Sequence, residues 1–520
     1  MVHKAPALPH GHGEVLTSPA FAEWAELMRR NARAARAWRF DVFGADALAL
    51  RRDARRDALA AAEAFSARVG VPLAVPSEPA HIVATGHQPE FYHPGVWIKV
   101  FLLQRLADET GAAALDMVVD SDAFDALGVT APVVRGKVER RREHLAVGGR
   151  DVCYACAGPP SAEELEAFCS AGLRMLSTLP NWAVARHFGD FCDALRESLP
   201  GAVNLAELVT FARRRYEAQA GTDYLELPVT AQSATAPFLR FVAHVATEAE
   251  RFATGYNAEL ASFRAATKSR SEAQPFPDLQ IGGGFVELPL WHLEGGRRDA
   301  VRVRVGEETE LLADGGVLAR LPSRPGGDAL ARVSGVLAPK AAALTMFTRM
   351  FVADVFVHGV GGGRYDRVTD GVIRRFFGVD PPRYTVASMT MYLPLGGHIV
   401  GEGEVAAAEQ RLRRLRHNPD QLLGEAEFES AEERRTAEAL AEEKRALVES
   451  IRAPGADKKT LGGRIREVNE ELAAMLAPMA EELRAERDRL AAMREATEVV
   501  TDRTYPFCFW SPFEIADKAR

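Results

Sequence analysis

Three groups of polar and glycine residues come directly after predicted strands and could carry chemistry. They are Thr85-Gly86-His87-Gln88-Pro89 with Tyr92-His93-Pro94-Gly95 and Lys99, then Asp120-Ser121-Asp122, and then His358-Gly359 to Gly363 followed by Arg364. Ligands of open α/β sheets bind beyond the carboxyl ends of the strands. If the strands share one sheet, the three groups should face one crevice. The sequence therefore predicts a single site built from all three.

Histidine and aspartate side chains in these groups suit acid–base and polar-binding roles. We assign His87, His93, Asp120 and Asp122 as candidate catalytic residues. Histidines ahead of a helix can act as acid and base or stabilise a phosphoryl transition state, and the alternative is a pair of capped loop histidines. The aspartates could hold a ribose, an amine or Mg²⁺, or could be an acidic pair favoured by a helix dipole. No residue is assigned as a protein ligand of a metal.

The glycine segment suits phosphate binding, because backbone amides can reach a phosphate at the junction of a strand and a helix. It matches neither the GxGxxG fingerprint nor a Walker A loop, and the alternative is a flexible turn that needs positive φ. Lys99 and Arg364 could neutralise phosphate charge, or could be solvated cations at helix ends. The candidate cofactor-binding residues are Gly86, Gln88, Lys99, Gly359, Gly361, Gly362, Gly363 and Arg364.

Apolar runs that alternate with helical patterns must position these groups. The predicted strands are 81–84, 115–119, 224–229 and 352–357, and the predicted helices are 95–106, a long one over 238–263, and 366–377. Continuous apolar strands between helices indicate an α/β fold with a doubly wound, mostly parallel sheet. Segments 285–291 and 301–305 flank a Gly-Gly pair and predict a β-hairpin.

The remaining segments divide the chain into further regions. We expect a helical segment at 1–78, a core at 79–270 and 331–401, a β-containing insertion at 271–330, a helical coiled-coil hairpin at 402–500 and a docking segment at 501–520. The apolar residues from Leu461 to Met479 alternate by four and three, which is the heptad pattern of a coiled coil. A break at 453–457 should fold two helices back antiparallel, with Thr460 as a cap and a kink at Pro478. This arm could make a homodimer, or could only support the core.

Composition and charge narrow the classes of function. The chain has 520 residues, a net charge of −8, and no basic run of the kind that a nucleic-acid or anionic-membrane binder needs. There is neither a signal peptide nor a run of 18 apolar residues, so we expect a cytoplasmic protein. The five cysteines include one CxxC pair, Cys153 and Cys156, which we expect to be two part-buried thiols rather than a metal or redox site.

The segment Ala84-Thr85-Gly86-His87-Gln88-Pro89, with Lys99 on the next helix, resembles the start of the BshC family. That family is assigned the cysteine-adding step of bacillithiol biosynthesis. The resemblance continues, in short motifs, through Glu287-Leu288-Pro289-Leu290-Trp291, Leu337-Ala338-Pro339, the glycine segment and the helical hairpin. The His-Gln-Pro spacing is also similar, over this turn alone, to the opening motif of the WbqC-like family.

The BshC resemblance implies a Rossmann-like core with connecting insertions and a coiled-coil domain. It also implies a nucleotide-binding architecture akin to class I aminoacyl-tRNA synthetases, and a reaction that joins cysteine to the amino group of a glucosaminyl-malate. The chain departs from the family pattern at three places. His87 stands for the usual Gln, the loop after 352–357 lacks Gly-Pro-x-Glu, and Leu344 stands about where an Arg is expected.

The leading hypothesis is thus a BshC-like carbon–nitrogen ligase that adds cysteine or a similar amino acid to an amino-sugar acceptor, with ATP or another adenine nucleotide as the candidate cofactor. Its partners would be small molecules, a thiol amino acid and an amino sugar, rather than nucleic acid or membrane. The alternatives are a non-catalytic nucleotide- or sugar-binding protein with a coiled-coil assembly arm, and a purely structural dimer.

Overall fold

The computed structural model describes residues 6–76, 79–135, 137–149, 151–268, 276–306, 308–321, 330–395 and 401–520. The chain forms two compact units. The first unit contains residues 1–131, 141–393 and 503–520, and the second contains residues 132–140 and 394–502. Among the described residues, no helix has both the length and the apolar composition needed to cross a bilayer.

The described strands are β1 (Glu14–Ser18), β2 (Asp41–Val42), β3 (Ala45–Asp46), β4 (Ile82–His87), β5 (Ala113–Val118), β6 (Ala126–Arg135), β7 (Lys137–Val147), β8 (Leu225–Pro228), β9 (Ile281–Gly282), β10 (Phe285–Glu294), β11 (Arg297–Arg304), β12 (Thr309–Ala313), β13 (Gly316–Leu321), β14 (Leu337–Pro339), β15 (Val355–His358) and β16 (Thr385–Thr390). The described α-helices are α1 (Trp24–Ala35), α2 (Ala47–Ala67), α3 (Pro94–Thr110), α4 (Ala162–Leu176), α5 (Trp182–Ser198), α6 (Leu205–Ala218), α7 (Val229–Ser233), α8 (Ala236–Thr247), α9 (Ala249–Thr267), α10 (Ala341–Phe347), α11 (Val360–Phe377), α12 (Glu402–His417), α13 (Ala431–Ser450), α14 (Lys458–Met475), α15 (Ala477–Val500) and α16 (Pro512–Ala519).

The first unit is an α/β structure around a mainly parallel central sheet. Its six strands lie in the order β1-β16-β15-β4-β5-β8. Strands β4, β5, β8, β15 and β16 are parallel, and β1 pairs with β16 antiparallel at one edge. All residues of β5, β8, β15 and β16 are buried, which explains why apolar residues are so frequent in β5 and β15.

The two faces of the central sheet differ in chemistry. One face is apolar and packs into the main core, with Ala84, Leu115, Met117 and Leu227 among its residues. The other face carries polar groups, because Thr85 is in register with Asp116 and Asp116 is in register with Glu226. Charged residues in the middle of buried strands need buried partners of opposite charge, and these partners form the candidate site.

A smaller antiparallel sheet follows in the first unit. Strands β10 to β14 lie in the order β13-β12-β11-β10-β14, and β9 pairs with β10. The turn at Gly295 and Gly296 joins β10 to β11, and both glycines have positive φ. The β-hairpin predicted around this Gly-Gly pair is therefore confirmed, within a larger sheet. The ends of the predicted insertion, 269–275 and 322–329, lie outside the described residues.

The second unit is mostly helical. Helices α13 and α14 pack side by side through Ala437, Val468 and Leu472, and Arg464 pairs with Glu443 at 2.7 Å. These pairings run in opposite directions along the two helices, so α13 and α14 are antiparallel to each other. Helix α14 ends at Met475 and Pro478 lies in the first turn of α15, which accounts for the predicted interruption. The predicted cap Thr460 is wrong, since Asp457 caps α14 by accepting from the backbone N–H groups of residues 459 and 460.

Several predicted elements have different bounds in the structure. The predicted helical segment 1–78 also supplies β1 to the central sheet. The predicted long helix over 238–263 is two helices, because Glu248 leaves helical geometry between α8 and α9. The predicted strand 352–357 is displaced, since Thr348–Val352 forms a π-helical turn and β15 begins at Val355. The predicted glycine loop is also wrong, because residues 360–363 form the first turn of α11.

The cysteine prediction needs correction as well. Cys153 and Cys156 form a disulfide rather than two thiols, since a 3-10 turn brings their Cα atoms to 5.0 Å. Cys169, Cys192 and Cys508 are buried free thiols. The predicted docking segment 501–520 contains a buried 3-10 turn, Phe507–Phe509, followed by α16.

Candidate functional site

Three of the strand ends singled out from the sequence lie at one edge of the central sheet. His87 ends β4 in register with Val118 of β5, two residues before Asp120. On the other side of β4, Val357 is in register with Thr85, so His358 and Gly359 lie beside Gly86 and His87. The backbone therefore brings the predicted groups together, although their side chains take up different environments.

The His87 side chain lies on the polar face of the sheet and is only 8% exposed. Its Nδ1 is enclosed and lies 3.7 Å from Asp116 Oδ1, and neither atom has a hydrogen-bond partner among the described residues. Burial, together with the positive charges of Lys99 and Arg213, lowers the pKa of His87 well below its ordinary value. The imidazole is therefore neutral near pH 7, as a general base must be.

Below His87 lies a buried network of charges centred on Arg213 of α6. Its guanidinium donates to Asp116 at 2.9 Å, to Glu226 at 2.7 Å and to Tyr224 Oη at 2.6 Å. Glu217 accepts from Trp97 Nε1 at 2.5 Å and from Tyr224 Oη. The network ties α3 and α6 to β5 and β8, and so it holds the floor of the site rigidly.

Lys99 belongs to this buried network and not to an open phosphate site. It is 3% exposed, and its Nζ donates to the Gly86 carbonyl at 3.0 Å. Burial lowers the pKa of Lys99 to about 8, while Asp116 acts in the opposite direction. Gly86 is required for close packing, because a Cβ there would lie 2.8 Å from Met117 Cβ.

Asp120 lies on the wall of a cavity of about 340 Å³ at the carboxyl ends of β5 and β8. Polar residues of the lining are Arg68, Asn204, Glu207 and Thr230. Asp120 accepts from the Thr230 backbone N–H at 3.0 Å and from its hydroxyl. Burial raises the pKa of Asp120 to about 6, against the lowering effect of these hydrogen bonds. Its carboxyl group can therefore gain and lose a proton near neutral pH.

Asp122 faces a different set of partners from Asp120. Its Oδ2 accepts from Gln88 Nε2 at 2.8 Å, and its Oδ1 accepts from Arg298 at 2.5 Å. Arg298 lies over the Trp291 ring of the smaller sheet at 4.5 Å. Gln88 and Asp122 thus fix the turn after β4 to the turn after β5 and to β11.

The disulfide loop supports the same turns. The backbone N–H of Ala155 donates to the Asp120 carbonyl at 2.8 Å, and that of Tyr154 donates to the Asp122 carbonyl at 3.1 Å. The Tyr154 hydroxyl donates to Glu90 at 2.9 Å. The loop therefore fixes the backbone on which the two candidate aspartates stand.

His93 is the N-cap of α3, where its Nδ1 accepts from the Gly95 backbone N–H at 3.0 Å. His93 is therefore a capping loop histidine, which is the predicted alternative to a catalytic role. Because its Nδ1 accepts the hydrogen bond of the cap, that nitrogen cannot also act as a base.

The glycine residues after β15 differ in how much space surrounds them. A Cβ at Gly363 would lie 2.5 Å from Val386 Cγ2, whereas one at Gly359 or Gly361 would meet nothing within 4 Å. Gly363 and Arg364 line a groove of about 1200 Å³ that runs beside α1, α9 and α11. This groove and the Asp120 cavity have no lining residue in common. The prediction of a single crevice is therefore wrong, since the described residues form two separate cavities.

Sequence reasoning missed Arg213, Asp116, Glu226 and Arg349. The first three form the network under His87, and Arg349 joins His358, which belongs to the third predicted group, and Asp366 in a second buried cluster. A carboxylate in the middle of an apolar strand, as in Leu-Asp-Met or Leu-Glu-Leu, was the available signal for the first set. Nothing in the spacing of Arg349 pointed to the second set, because a π-helical turn places it.

The site shows no arrangement typical of a protein-bound metal. Across the described residues, no cluster of three or more His, Cys, Asp or Glu side chains is suitably placed to hold an ion. Asp120 and Asp122 have different hydrogen-bond partners, so they do not act together as a ligand pair. No protein-family model matches the chain, and no curated protein is significantly similar to it.

Proposed function

We propose that the chain is a BshC-like carbon–nitrogen ligase that joins cysteine, or a similar amino acid, to an amino-sugar acceptor at the carboxyl edge of the central sheet. The observation that carries the proposal is the cavity at the ends of β5 and β8, with Asp120 on its wall at a pKa of about 6. Amide formation breaks the bond between the carboxyl carbon and its leaving group, which ATP would supply by converting the carboxylate to an acyl phosphate or adenylate. The attacking amine must also lose a proton. A carboxylate that titrates near neutral pH can accept that proton.

The order of strands supports the same location. In chain order the parallel strands β4, β5, β8, β15 and β16 are arranged 3-2-1-4-5 across the sheet, which is the order of a Rossmann-like, doubly wound fold. The order reverses between β4 and β15, where His87 and the first turn of α11 lie. Ligands of such folds bind at this switch point, and a nucleotide phosphate would lie at the N-terminus of α11.

The roles of individual residues follow from their surroundings. Asp120 would accept the proton of the amine, and His87, held neutral by burial and by the charges of Lys99 and Arg213, would contact the reacting carboxylate or phosphate. Gln88, Asp122 and His93 would position the turns rather than react, since Gln88 Nε2, both Asp122 carboxylate oxygens and His93 Nδ1 already have protein partners. These are roles in small-molecule chemistry.

Ligation can be measured with purified protein supplied with cysteine, ATP and glucosaminyl-malate, and with mass spectrometry to detect the condensed product. We expect wild-type protein to form product and Asp120→Asn and His87→Ala to lose at least about 100-fold in rate. The exposed Asp517→Asn serves as the matched control and should leave the rate unchanged. Equal turnover in all four proteins would contradict the assignment of the site.

A second candidate is a non-catalytic protein that binds a nucleotide or a sugar. Asp122, His93 and Lys99 favour this candidate, because their polar atoms form structural hydrogen bonds within the protein and are not free for catalysis. ADP would then raise the melting temperature of the protein without any product being formed. The helical hairpin, with its heptad pattern, would serve as a coiled-coil assembly arm of a homodimer, which light scattering of the whole chain would show as twice the chain mass.

A further inference from the structure

A second histidine, His358, ends β15 and lies on the opposite face of the sheet from His87. Its side chain is 7% exposed, and its Nε2 lies 2.8 Å from Asp366 Oδ2. Asp366 also accepts from Arg349 at 2.5 Å and from the Thr345 hydroxyl at 2.7 Å. The other charged and titratable groups around this cluster are Asp370, which pairs with Arg349 at 2.6 Å, and Tyr384, whose ring contacts both His358 and Arg349.

The state of Asp366 determines which ring nitrogen of His358 carries a proton. Burial alone would raise the pKa of Asp366, but Arg349 and His358 hold it below its ordinary value, so the carboxylate is ionised. An ionised Asp366 can only accept, and Nε2 therefore donates to it. In the neutral ring Nδ1 is then left with a lone pair, and Nδ1 has no partner among the described residues.

The Nδ1 atom faces the first turn of α11. A Cβ at Gly362 would lie 3.1 Å from it, so the ring packs closely against the backbone of this turn. The helix has 18 residues, and no side chain caps its N-terminus. The backbone N–H groups of residues 360 to 362 are consequently free to bind an anion at the positive end of the helix dipole.

We propose that His358, positioned by Asp366, and the first turn of α11 form an oxyanion site for a phosphoryl group, either free or on a nucleotide. The free N–H groups bind the phosphoryl oxygens. On binding, Nδ1 takes one proton from solvent and donates it in a charge-assisted hydrogen bond to the anion, while Asp366 stabilises the imidazolium. The proposal that this site binds a nucleotide rests on the proposed function, whereas the proposal that it binds free phosphate does not.

Calorimetric titration of the full chain tests this site with inorganic phosphate and with ADP as separate probes. Repeating each titration in two buffers of different ionisation enthalpy measures the protons taken up. We expect both probes to bind with proton uptake and to compete with each other, with ADP binding more tightly. Binding of ADP without competition by phosphate would place the nucleotide elsewhere and overturn the inference, as would no binding of either probe.

Substitution of His358 separates its contribution from that of the backbone. His358→Gln keeps a donor to Asp366 but removes Nδ1, and it should weaken phosphate and ADP binding by about 10- to 100-fold and abolish proton uptake. His417→Gln makes the same chemical change at an exposed histidine and should alter neither quantity. Unchanged affinity and proton uptake in His358→Gln would contradict the inference.

A measurement on wild-type protein protects the test against misfolding of the variant. In nuclear magnetic resonance spectra of protein labelled with ¹⁵N in the imidazole rings, phosphate should move one Nδ1 signal to the position of a protonated nitrogen. Absence of that shift at saturating phosphate would overturn the inference. Phosphate binding without ligation would refute the proposed function only, and ligation with unchanged ADP affinity in His358→Gln would refute the oxyanion site only.

Discussion

His87 and His358 end neighbouring strands of one sheet, but the two faces of the sheet give them different surroundings. Each histidine lies near a buried aspartate, and each aspartate is bound by a buried arginine, Arg213 in the first cluster and Arg349 in the second. His87 Nδ1 is 3.7 Å from its aspartate, whereas His358 Nε2 is 2.8 Å from Asp366. The same three residue types therefore build two different sites.

The difference lies in the neighbouring charges. Lys99 and Arg213 next to His87 favour a neutral imidazole, and burial raises the pKa of Asp116 in spite of both cations. On the other face Asp366 is ionised and its pKa is lowered, because Arg349 and His358 outweigh burial. A neutral ring can contact a reacting group without adding charge, whereas a ring on an ionised carboxylate suits anion binding. The role of each histidine is therefore set by the net charge of its surroundings and not by the residue types alone.

The largest expected effect comes from removing the arginine of each cluster. Arg213→Met leaves Asp116, Glu217 and Glu226 without their shared cation, and it should lower the free energy of unfolding by about 3–5 kcal/mol. Arg349→Met removes the shared cation of Asp366 and Asp370 and should lower the free energy of unfolding by a somewhat smaller amount. Urea denaturation measures both, and Arg29→Met, at an exposed ion pair, should stay within about 0.5 kcal/mol of wild type. A loss below about 1 kcal/mol for Arg213→Met would show that the network does not hold the site.

Asp366 and Asp116 should lose stability to different extents when each is neutralised. The pKa of Asp366 in the fold is below its ordinary value of 3.8, so its ionised form stabilises the fold above that pH, and this stability is lost in acid. Asp366→Asn should therefore cost about 2–3 kcal/mol at pH 7, and the deficit should shrink as the pH falls below about 4. The pKa of Asp116 is raised, so Asp116→Asn should cost less than about 1 kcal/mol at pH 7. Equal losses at pH 7 would contradict the comparison.

Asp120→Asn should make the fold more stable while removing the proposed proton acceptor. Because the pKa of Asp120 rises from 3.8 to about 6 on folding, the ionised form costs stability above pH 6 and the protonated form does not below pH 4. We expect the variant to gain about 2–3 kcal/mol over wild type at pH 7. The gain should disappear between pH 6 and pH 4 in urea denaturation series. A constant difference across this range would contradict the raised pKa.

The smallest expected effect distinguishes two adjacent glycines in α11. Alanine favours a helix over glycine by about 1 kcal/mol, so Gly361→Ala, with open space around its Cβ, should stabilise the protein by about that amount. Gly362→Ala should gain less or lose stability, because its Cβ would lie 3.1 Å from His358 Nδ1. Thermal unfolding of both variants measures the difference, and equal gains would show that the ring is not packed against this turn.

The sequence predicted which strand ends share an edge of the sheet better than the surroundings of each side chain. Apolar runs alternating with helices indicate a mostly parallel sheet, and in such a sheet His87, Asp120 and Gly359 lie at one edge. The direction of each side chain could not be predicted in the same way. Whether Lys99 faces solvent or Asp116 depends on how α3 packs on the sheet, which is a tertiary contact.

Local sequence also failed to predict secondary structure where tertiary contacts override the local hydrophobic or glycine pattern. Thr348–Val352 is apolar enough for a strand but forms a π-helical turn, in which Arg349 reaches Asp366 and Asp370. The glycines after β15 are typical of a loop but continue as helix, since Gly363 allows α11 to pack against Val386. The disulfide depends on the geometry of one 3-10 turn, and a lone CxxC does not reveal that geometry.

A crystal structure of the full chain grown with ADP, cysteine and glucosaminyl-malate tests the location of the site most directly. We predict density for the amino sugar in the cavity beside Asp120 and density for phosphate at the first turn of α11, next to His358. An unoccupied Asp120 cavity, with the amino sugar bound elsewhere, would contradict the account.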